Sequence, residues 1–466
     1  MTQADQQDMA YVSNQYAQDQ TRVSLRAENV FAFTGSSIDE SKFSFFDMYL
    51  SLSTALDLVD PRLGDHHKLT CYIAAQLARH LGLVGDDYRR VFASALIHDI
   101  GATSLHERIQ ILEFDGEAST EHALVGEAIL KSVDPLADLA AHVGDHHVIW
   151  DHGAGQEHRG REVSLISHII QLADRVAVLI DRKAPLILLQ SSGIRDKIHS
   201  KSGKLFSSEL ADAFCDMSKN ANFWLGMDPA FLGKSLRDLS SFQDVYLSLS
   251  ELENLSSVFA FIIDSRSRFT ASHSSGVAVV AENLGMAYGL SDQVCRKLKI
   301  AGYLHDIGKL SVPSEILEKE GKLSEEERAI MNGHSFYTEK IIANVRGLDE
   351  IGSWASHHHE FLDGRGYPHG LSEQDLGIPE RIMTIADIFT ALTEDRPYRK
   401  GMEMDEALKI IDDFADRGKI DKSVTHTLHQ NVGDIDCARR AAQTSENKKL
   451  DAMWERAAEY VSSERA

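Results

Sequence analysis

Cysteine is scarce: the chain has four in 466 residues (Cys71, Cys215, Cys295, Cys437), far apart and with no CxxC pair. That excludes a disulfide framework or a zinc knuckle and fits a reducing compartment, with each thiol read as a small core residue. Proline is also sparse, at 8 residues, so long helices meet few breakers. No apolar run approaches the roughly 18 to 20 residues that cross a bilayer. Met1 to Arg22 is rich in Gln and Asp and lacks the apolar centre of a secretory signal. The expectation is a cytoplasmic protein with no membrane contact. Positive charge is short, with 48 Lys and Arg against 71 Asp and Glu, a net −23. So acidic a surface repels phosphate backbones and disfavours a polymeric nucleic acid as partner. It leaves room for a small anion held by a few local cations. Hydrophobic content of 43% and charged content of 26% exclude wholesale disorder. Histidine, by contrast, is plentiful: 22 residues, many in HH or HD pairs, and histidine is the commonest metal ligand.

The chain repeats itself once. His66 to His98 spans 32 positions and ends in HDIG; His273 to His305 spans 32 and ends in HDIG. His122 to His146 is 24 positions, and so is His334 to His358. Leu172-Ala173-Asp174 answers Ile385-Ala386-Asp387, and the offset drifts only from 207 to 213. A period this long means duplicated domains and not a solenoid. Apolar residues at i, i+3, i+4 and i+7 predict an all-α protein. Val277, Val280, Ala281 and Leu284 form one such face; Ile382, Ile385, Ala386 and Phe389 form another, on a helix that Pro379 can open. Ser324 with Glu327 predicts a capping box, and Gly308 is read as the end of the helix carrying His305 and Asp306. The expected organisation is a polar mobile tail (1–28), a first helical domain (29–200), a helical connector (201–245), a second domain (246–436) and a charged helical tail (437–466). The two domains are expected to pack together, and a homodimer is compatible with the sequence.

The second half collects His273, His305, Asp306, His334, His358, His359 and Asp387. Imidazole nitrogen with carboxylate oxygen suits iron, manganese or zinc. Seven such groups exceed the needs of one tetrahedral ion. Asp306 is the natural bridging carboxylate, so two divalent ions inside a helix bundle are expected. Such a pair can activate water and clamp both oxygens of an in-line displacement at phosphorus. Helix packing alone would preserve apolar periodicity, whereas here polar identity recurs at matched separations in both halves.

His305-Asp306-Ile-Gly-Lys309, then His358-His359-Glu-x-x-Asp363-Gly-x-Gly366-Tyr367-Pro368, then Asp387 and Asp395-Arg396-Pro-Tyr-Arg399 resemble the HD-GYP family of cyclic dinucleotide phosphodiesterases. The likeness covers about residues 250–434. It implies two tandem HD-type bundles, of which the second hydrolyses cyclic di-GMP or 3′,3′-cGAMP to a linear dinucleotide, or on to mononucleotides. It implies iron or manganese at the seven ligands, with Asp306 in the catalytic centre. Lys309 matches a lysine on the scissile phosphate, where a cation stabilises developing charge. Tyr367, presented by the Gly366-Tyr367-Pro368 loop, and Arg396 and Arg399 match positions that hold the dinucleotide. Two departures stand out. Phe269 replaces the acid that three-metal members carry before the first histidine, which argues for two ions. Thr390 replaces a frequent acid three residues after the last ligand. His357 offers a register one residue earlier, but the HHE-x-x-DG spacing favours His358 and His359.

The first half keeps a full ligand set: His66, His98, Asp99, His122, His146, His147 and Asp174. It has Ala102 at the lysine position and no GYP loop. The reading favoured is a metal-bearing structural or regulatory domain with two further ions and no turnover. A different hydrolytic activity and a metal-free remnant are the alternatives. For the whole protein, the alternatives to a phosphodiesterase are a non-hydrolysing cyclic dinucleotide receptor and an HD-type hydrolase of linear nucleotides.

Overall fold

The computed structural model describes residues 43–58, 64–102, 120–184, 186–242, 245–266, 272–319, 321–395 and 400–464. The polar tail, Phe269, Arg396 and Arg399 lie outside them. The first half contributes α1 (Phe45–Asp57), α2 (His66–His80), α3 (Gly85–Leu96), α4 (Glu121–Lys131), α5 (Ala140–Gly144) and α6 (Leu165–Leu179). Then come α7 (Ser191–His199), α8 (Ser208–Met217), α9 (Ala221–Leu225) and α10 (Leu232–Leu239). The second half contributes α11 (Leu249–Ser265), α12 (His273–Tyr288), α13 (Asp292–Leu304), α14 (Ser314–Leu317), α15 (Glu325–Ile342) and α16 (Asp349–Ser356). It closes with α17 (Ile378–Thr393), α18 (Met404–Asp416) and α19 (Lys422–Glu464). Among the described residues, strands are confined to two-residue pieces: β1 (Phe43–Ser44), β2 (Glu157–His158), β3 (Arg161–Glu162) and β4 (Tyr246–Leu247).

Local sequence sets many of these boundaries. Ser44, Ser164, Ser207 and Ser291 each accept a hydrogen bond from the backbone N–H three residues on, satisfying a donor that the first helical turn leaves orphaned. Ser248 with Glu251 and Ser324 with Glu327 form complete capping boxes. Pro379 sits in the first turn of α17, where its missing N–H costs nothing. Gly308 does not end a helix. α13 stops at Leu304, and Gly308 lies in a 3₁₀ turn, Ile307–Ser311. Its lack of a side chain serves packing: a Cβ there would lie 1.9 Å from the His334 carbonyl oxygen. Gly101 repeats the arrangement, 2.1 Å from the His122 carbonyl oxygen. Each HDIG turn is therefore pressed against the helix that brings the next histidine.

The halves share one contiguous apolar core. β1 pairs antiparallel with β4, Phe43 against Leu247, tying the start of the first half to the start of the second. The ring of Phe45 packs edge-on to Phe242 at 5.3 Å. The 201–245 stretch lies against the first half: Tyr72 donates to the Phe223 carbonyl and Tyr88 to the Leu239 carbonyl. Residues 437–464 are helical, but as the continuation of α19, which begins at Lys422 and runs 43 residues. α19 packs on α12 of the second half and on α4 of the first. Among the described residues no helix is long and apolar enough to cross a membrane.

Asp47 of α1 is a polar anchor between the halves. It accepts from Arg237 at 2.6 Å and from Arg346 at 2.9 Å. Burial would raise its pKa, but hydrogen bonds and charge from Arg346 and Arg237 hold the carboxyl below its ordinary 3.8. The folded pKa is depressed, so this stabilisation is fully present above pH 3.8 and lost as pH falls through the folded value. Asp47→Asn is expected to cost about 1 to 2 kcal/mol at neutral pH. That is less than the roughly 3 to 5 kcal/mol of a fully buried broken pair, because both guanidinium groups reach solvent. Denaturant midpoints should differ between wild type and variant at pH 7 and converge below the folded pKa.

Candidate metal centre

In the second half, α12 brings His273, the end of α13 brings His305 and Asp306, α15 brings His334, the end of α16 brings His358 and His359, and α17 brings Asp387. All but His359 are buried. Asp306 stands at the middle. Its Oδ2 lies 3.2 Å from His305 Nε2, and its Oδ1 lies 3.4 Å from His334 Nε2. His334 Nε2 is 3.2 Å from His358 Nε2. Asp387 Oδ1 is 3.0 Å from His273 Nε2, and its Oδ2 is 3.5 Å from His359 Nδ1. His357 lies outside this group; its neighbours are Ser353 and His369.

The rings are oriented by the backbone. Nδ1 of His305, His334 and His358 sits 2.7, 2.7 and 2.6 Å from the carbonyl oxygens of Gly302, Met331 and Ala355. A carbonyl can only accept, so each Nδ1 carries the hydrogen and each Nε2 presents its lone pair to the centre. Burial lowers the His334 pKa to about 3. Burial, with His359 and His305 alongside, holds His358 well below the ordinary histidine value. Burial opposes ionisation of Asp306 and Asp387, but the surrounding imidazoles, with Lys309 beside Asp306, keep both far below ordinary carboxylates. Neutral His334 and His358 with ionised Asp306 and Asp387 are in the protonation states that ligate a cation, whereas His273 must give up a proton when one binds.

The donor set passes a direct test of fit. Among the described residues, His305 Nε2 and Asp306 Oδ1 are buried without a hydrogen bond. Leaving such atoms unpaired costs about 1 to 3 kcal/mol each, and divalent cations among them would satisfy both. Three overlapping ligand triads, His334-His358-His359, His273-His305-Asp387 and His305-Asp306-His358, have their donor atoms within 4.8 Å of one another.

Lys309 is ion-paired with Asp306, its side chain 18% exposed. Charge from Asp306 overcomes burial and raises its pKa, so the ammonium is retained. The ring of Tyr367 lies 4.7 Å from that of His359 and 6.5 Å from that of His334, at the exposed edge of the centre. Gly366 is forced by close approach: a Cβ there would lie 2.4 Å from Glu360 Cα. Pro368 follows Tyr367 through a cis peptide bond. Thr390 is buried beside Gly276 and Gln443, under α19.

Sequence reading missed two residues here. Buried Glu360 accepts from the backbone N–H groups of His369, Gly370 and Leu371, and so folds the Tyr367 loop over the ligands. Buried Glu394 lies 3.0 Å from His273 Nδ1 and accepts from Gln443 Nε2 at 3.2 Å. Burial lowers the His273 pKa, but Glu394 and Asp387 together raise it to about 10. A signal for Glu394 exists: it stands seven residues, two helical turns, beyond Asp387.

The first half repeats the geometry. Asp99 Oδ2 faces His98 at 3.3 Å and His66 at 3.6 Å, and its Oδ1 faces His122 at 3.2 Å and His146 at 3.4 Å. His147 Nε2 is 3.0 Å from His122 Nε2, and Asp174 Oδ1 is 3.2 Å from His66. His98 and His146 again turn Nδ1 to the Ala95 and Val143 carbonyl oxygens. Among the described residues, Asp99 Oδ1, His146 Nε2 and Asp174 Oδ1 are buried without hydrogen bonds. The cation differs. Ala102 stands where Lys309 stands, and buried Arg175 instead grips Asp174 Oδ2 through Nε and Nη2.

An HD domain profile matches residues 257–424, and another HD domain profile matches residues 63–179. Over 391 residues the chain is 30% identical to the 3′3′-cGAMP-specific phosphodiesterase 1 of Vibrio cholerae, covering 82% of this chain and 90% of that one. It is 28% identical over 433 residues to the 3′3′-cGAMP-specific phosphodiesterase 3 of the same organism, covering 81% and 92%. The crystal structure of the cyclic GMP-AMP specific phosphodiesterase V-cGAP3 of V. cholerae superposes with a TM-score of 0.57 at 24% identity. That match covers 84% of this chain and 98% of the other and shows a common fold.

The partner of a ligating histidine tunes its basicity and fixes its ring. Glu394→Ala is expected to weaken metal binding by the second half roughly 10- to 100-fold, measured by chelator competition. An unchanged affinity would remove Glu394 from this role.

Proposed function

The chain belongs to the HD-GYP family of cyclic dinucleotide phosphodiesterases, and on that premise we propose that its second half opens 3′,3′-cGAMP or cyclic di-GMP to the linear dinucleotide. The names of the two relatives that match along most of their length favour 3′,3′-cGAMP as the first substrate to test. The observation that carries the reading is the placement of Asp306, with one carboxylate oxygen toward His305 and the other toward His334. That arrangement supports two divalent ions held by His273, His305, Asp306, His334, His358, His359 and Asp387, with iron or manganese suited to the donor set. When bound, such ions supply an activated water and neutralise phosphate charge. The protein residues do the rest. Backbone carbonyls hold the imidazoles in the tautomer that leaves Nε2 free. Lys309, protonated and partly exposed, is the fixed cation that meets negative charge growing on the non-bridging phosphate oxygens. Tyr367 offers an aromatic edge and a hydroxyl at the rim, held there by Gly366, Pro368 and the Glu360 anchor. Arg396 and Arg399 follow α17, where guanidinium groups would grip the second phosphate or stack on a base.

The first half carries a ligand set of the same shape with no lysine and no tyrosine loop. We read it as a second metal centre of structural or regulatory use. Arg175 occupies one oxygen of Asp174, and the other stays directed at His66.

Two experiments test these readings. Protein purified anaerobically and loaded with ferrous or manganous ion is offered each cyclic dinucleotide, and products are separated by chromatography. A linear dinucleotide is expected, with water added across one phosphodiester bond. Lys309→Met should lower kcat about 10²- to 10³-fold at unchanged metal content. Tight binding without product would favour a receptor, and equal rates on linear substrates would favour a general nucleotide hydrolase. Elemental analysis is expected to give about four metal ions per chain by the ligand count. Two ions, both lost when second-half ligands are replaced, would mean that the first half is bare.

A further inference from the structure

α15 brings His334 to the metal centre, and a second stripe of the same helix borders the site. Residues three or four apart share a helix face, so Arg328, Asn332, Ser335 and Glu339 line up along α15. The last two have visible tasks beside the centre. Ser335 Oγ lies 3.2 Å from His334 Nε2. Glu339 meets His369 Nε2 at 2.7 Å, just past the Tyr367–Pro368 bond. The stripe therefore runs along the Tyr367 loop, and Arg328 and Asn332 extend it beyond the loop toward the start of the helix.

Arg328 is uncommitted. It is exposed, and it makes no hydrogen bond or ion pair among the described residues. Acids are at hand, yet none takes it: Glu325 stands one turn earlier, and Glu327 is occupied by Lys319 and the Ser324 cap. In a chain of net charge −23, a free guanidinium beside the centre is a scarce resource. Its charge acts on the Tyr367 hydroxyl against those of Asp387 and Asp306, which puts it on the Tyr367 side of the helix. Six residues of helix set it about 9 Å along the axis from His334. A phosphate seated at the ligands lies next to Lys309; Arg328 is placed for what projects from that phosphate, a nucleoside.

We propose that Arg328 selects a guanine base of the substrate, its two-pronged guanidinium donating to O6 and N7 while the base lies against the Tyr367 ring. Guanine presents those two acceptors side by side. Adenine sets N7 beside an amino donor, which a guanidinium cannot accept. Cyclic di-GMP and 3′,3′-cGAMP both offer a guanine, and cyclic di-AMP offers none. Arg328 is thus a specificity residue and not part of the bond-breaking step. The inference rests on the reading of the second half as a cyclic dinucleotide site, and it names the base which that site requires.

Binding of cyclic di-GMP, 3′,3′-cGAMP and cyclic di-AMP is measured by calorimetry on the full-length protein loaded with manganous ion, in a Lys309→Met background that slows turnover. Arg328→Ala is added to that background and checked for an unchanged thermal transition and metal content. The two guanine-bearing ligands are expected to bind roughly 10- to 100-fold more weakly in the Arg328 variant, with cyclic di-AMP changed less than about twofold by the same argument. Equal weakening of all three would assign Arg328 to phosphate and overturn the proposal. So would unchanged affinity for the guanine ligands, which leaves Arg328 a solvated side chain and the site reading intact. A parent protein that binds none of the three would overturn both readings together.

Discussion

Helix ends leave carbonyl groups without partners, and this protein turns several of them on its histidines. His305 and His358 follow the last turns of α13 and α16, and His98 and His146 follow those of α3 and α5. Each gives its Nδ1 hydrogen to the carbonyl three residues back. One bond thus satisfies an acceptor that the helix abandons, locks a tautomer and aims the opposite nitrogen at the centre. The rest follows from that constraint. The helices must stop at the site, so HD and HH pairs sit where regular structure breaks. The breaks must be packed closely, so glycine follows the HD pair in both halves, against the helix that brings the next ligand.

Much of this was legible in the sequence because the repeat compares the chain with itself. The two ligand sets align at nearly the same separations, and the structure gathers each set into a cluster. The Ser324–Glu327 capping box and the proline-opened helix were also local, decided within four residues. What stayed hidden depends on distance. Gln443 reaches Glu394 across 49 positions, and only the fold relates them. Glu360 reads as part of the histidine motif, yet its work is to hold a loop ten residues away. Gly308 looked like a helix stop because glycine often is one; close packing against His334 is a tertiary fact that no local pattern carries. The continuity of α19 through residue 436 was missed because a change in charge there resembles a boundary.

The duplication has diverged at the cation and the loop, and kept the ligands. In one half the ammonium of Lys309 lies on the central Asp306 and stays partly exposed. In the other the guanidinium of Arg175 is buried against Asp174 and committed to it. Where one half presents Tyr367 near its ligands, the other folds a hairpin whose arginines are spent on Glu127 and Asp145. A centre with a partly exposed cation and one whose cation is buried against its own carboxylate have been made from one plan.

The last helix also sets a length standard for the molecule. At about 1.5 Å per residue, the 21 residue steps from Gln443 to Glu464 span about 31 Å, joining the Glu394–His273 contact to the hairpin that carries His158. Adding one residue between them would swing the far contacts by about 100° around the axis. Adding seven would nearly restore the face but push Glu464 about 10 Å beyond His158. Neither insertion preserves both ends, so between these two residues the chain behaves as a fixed gauge, free to change its exposed side chains but not its count.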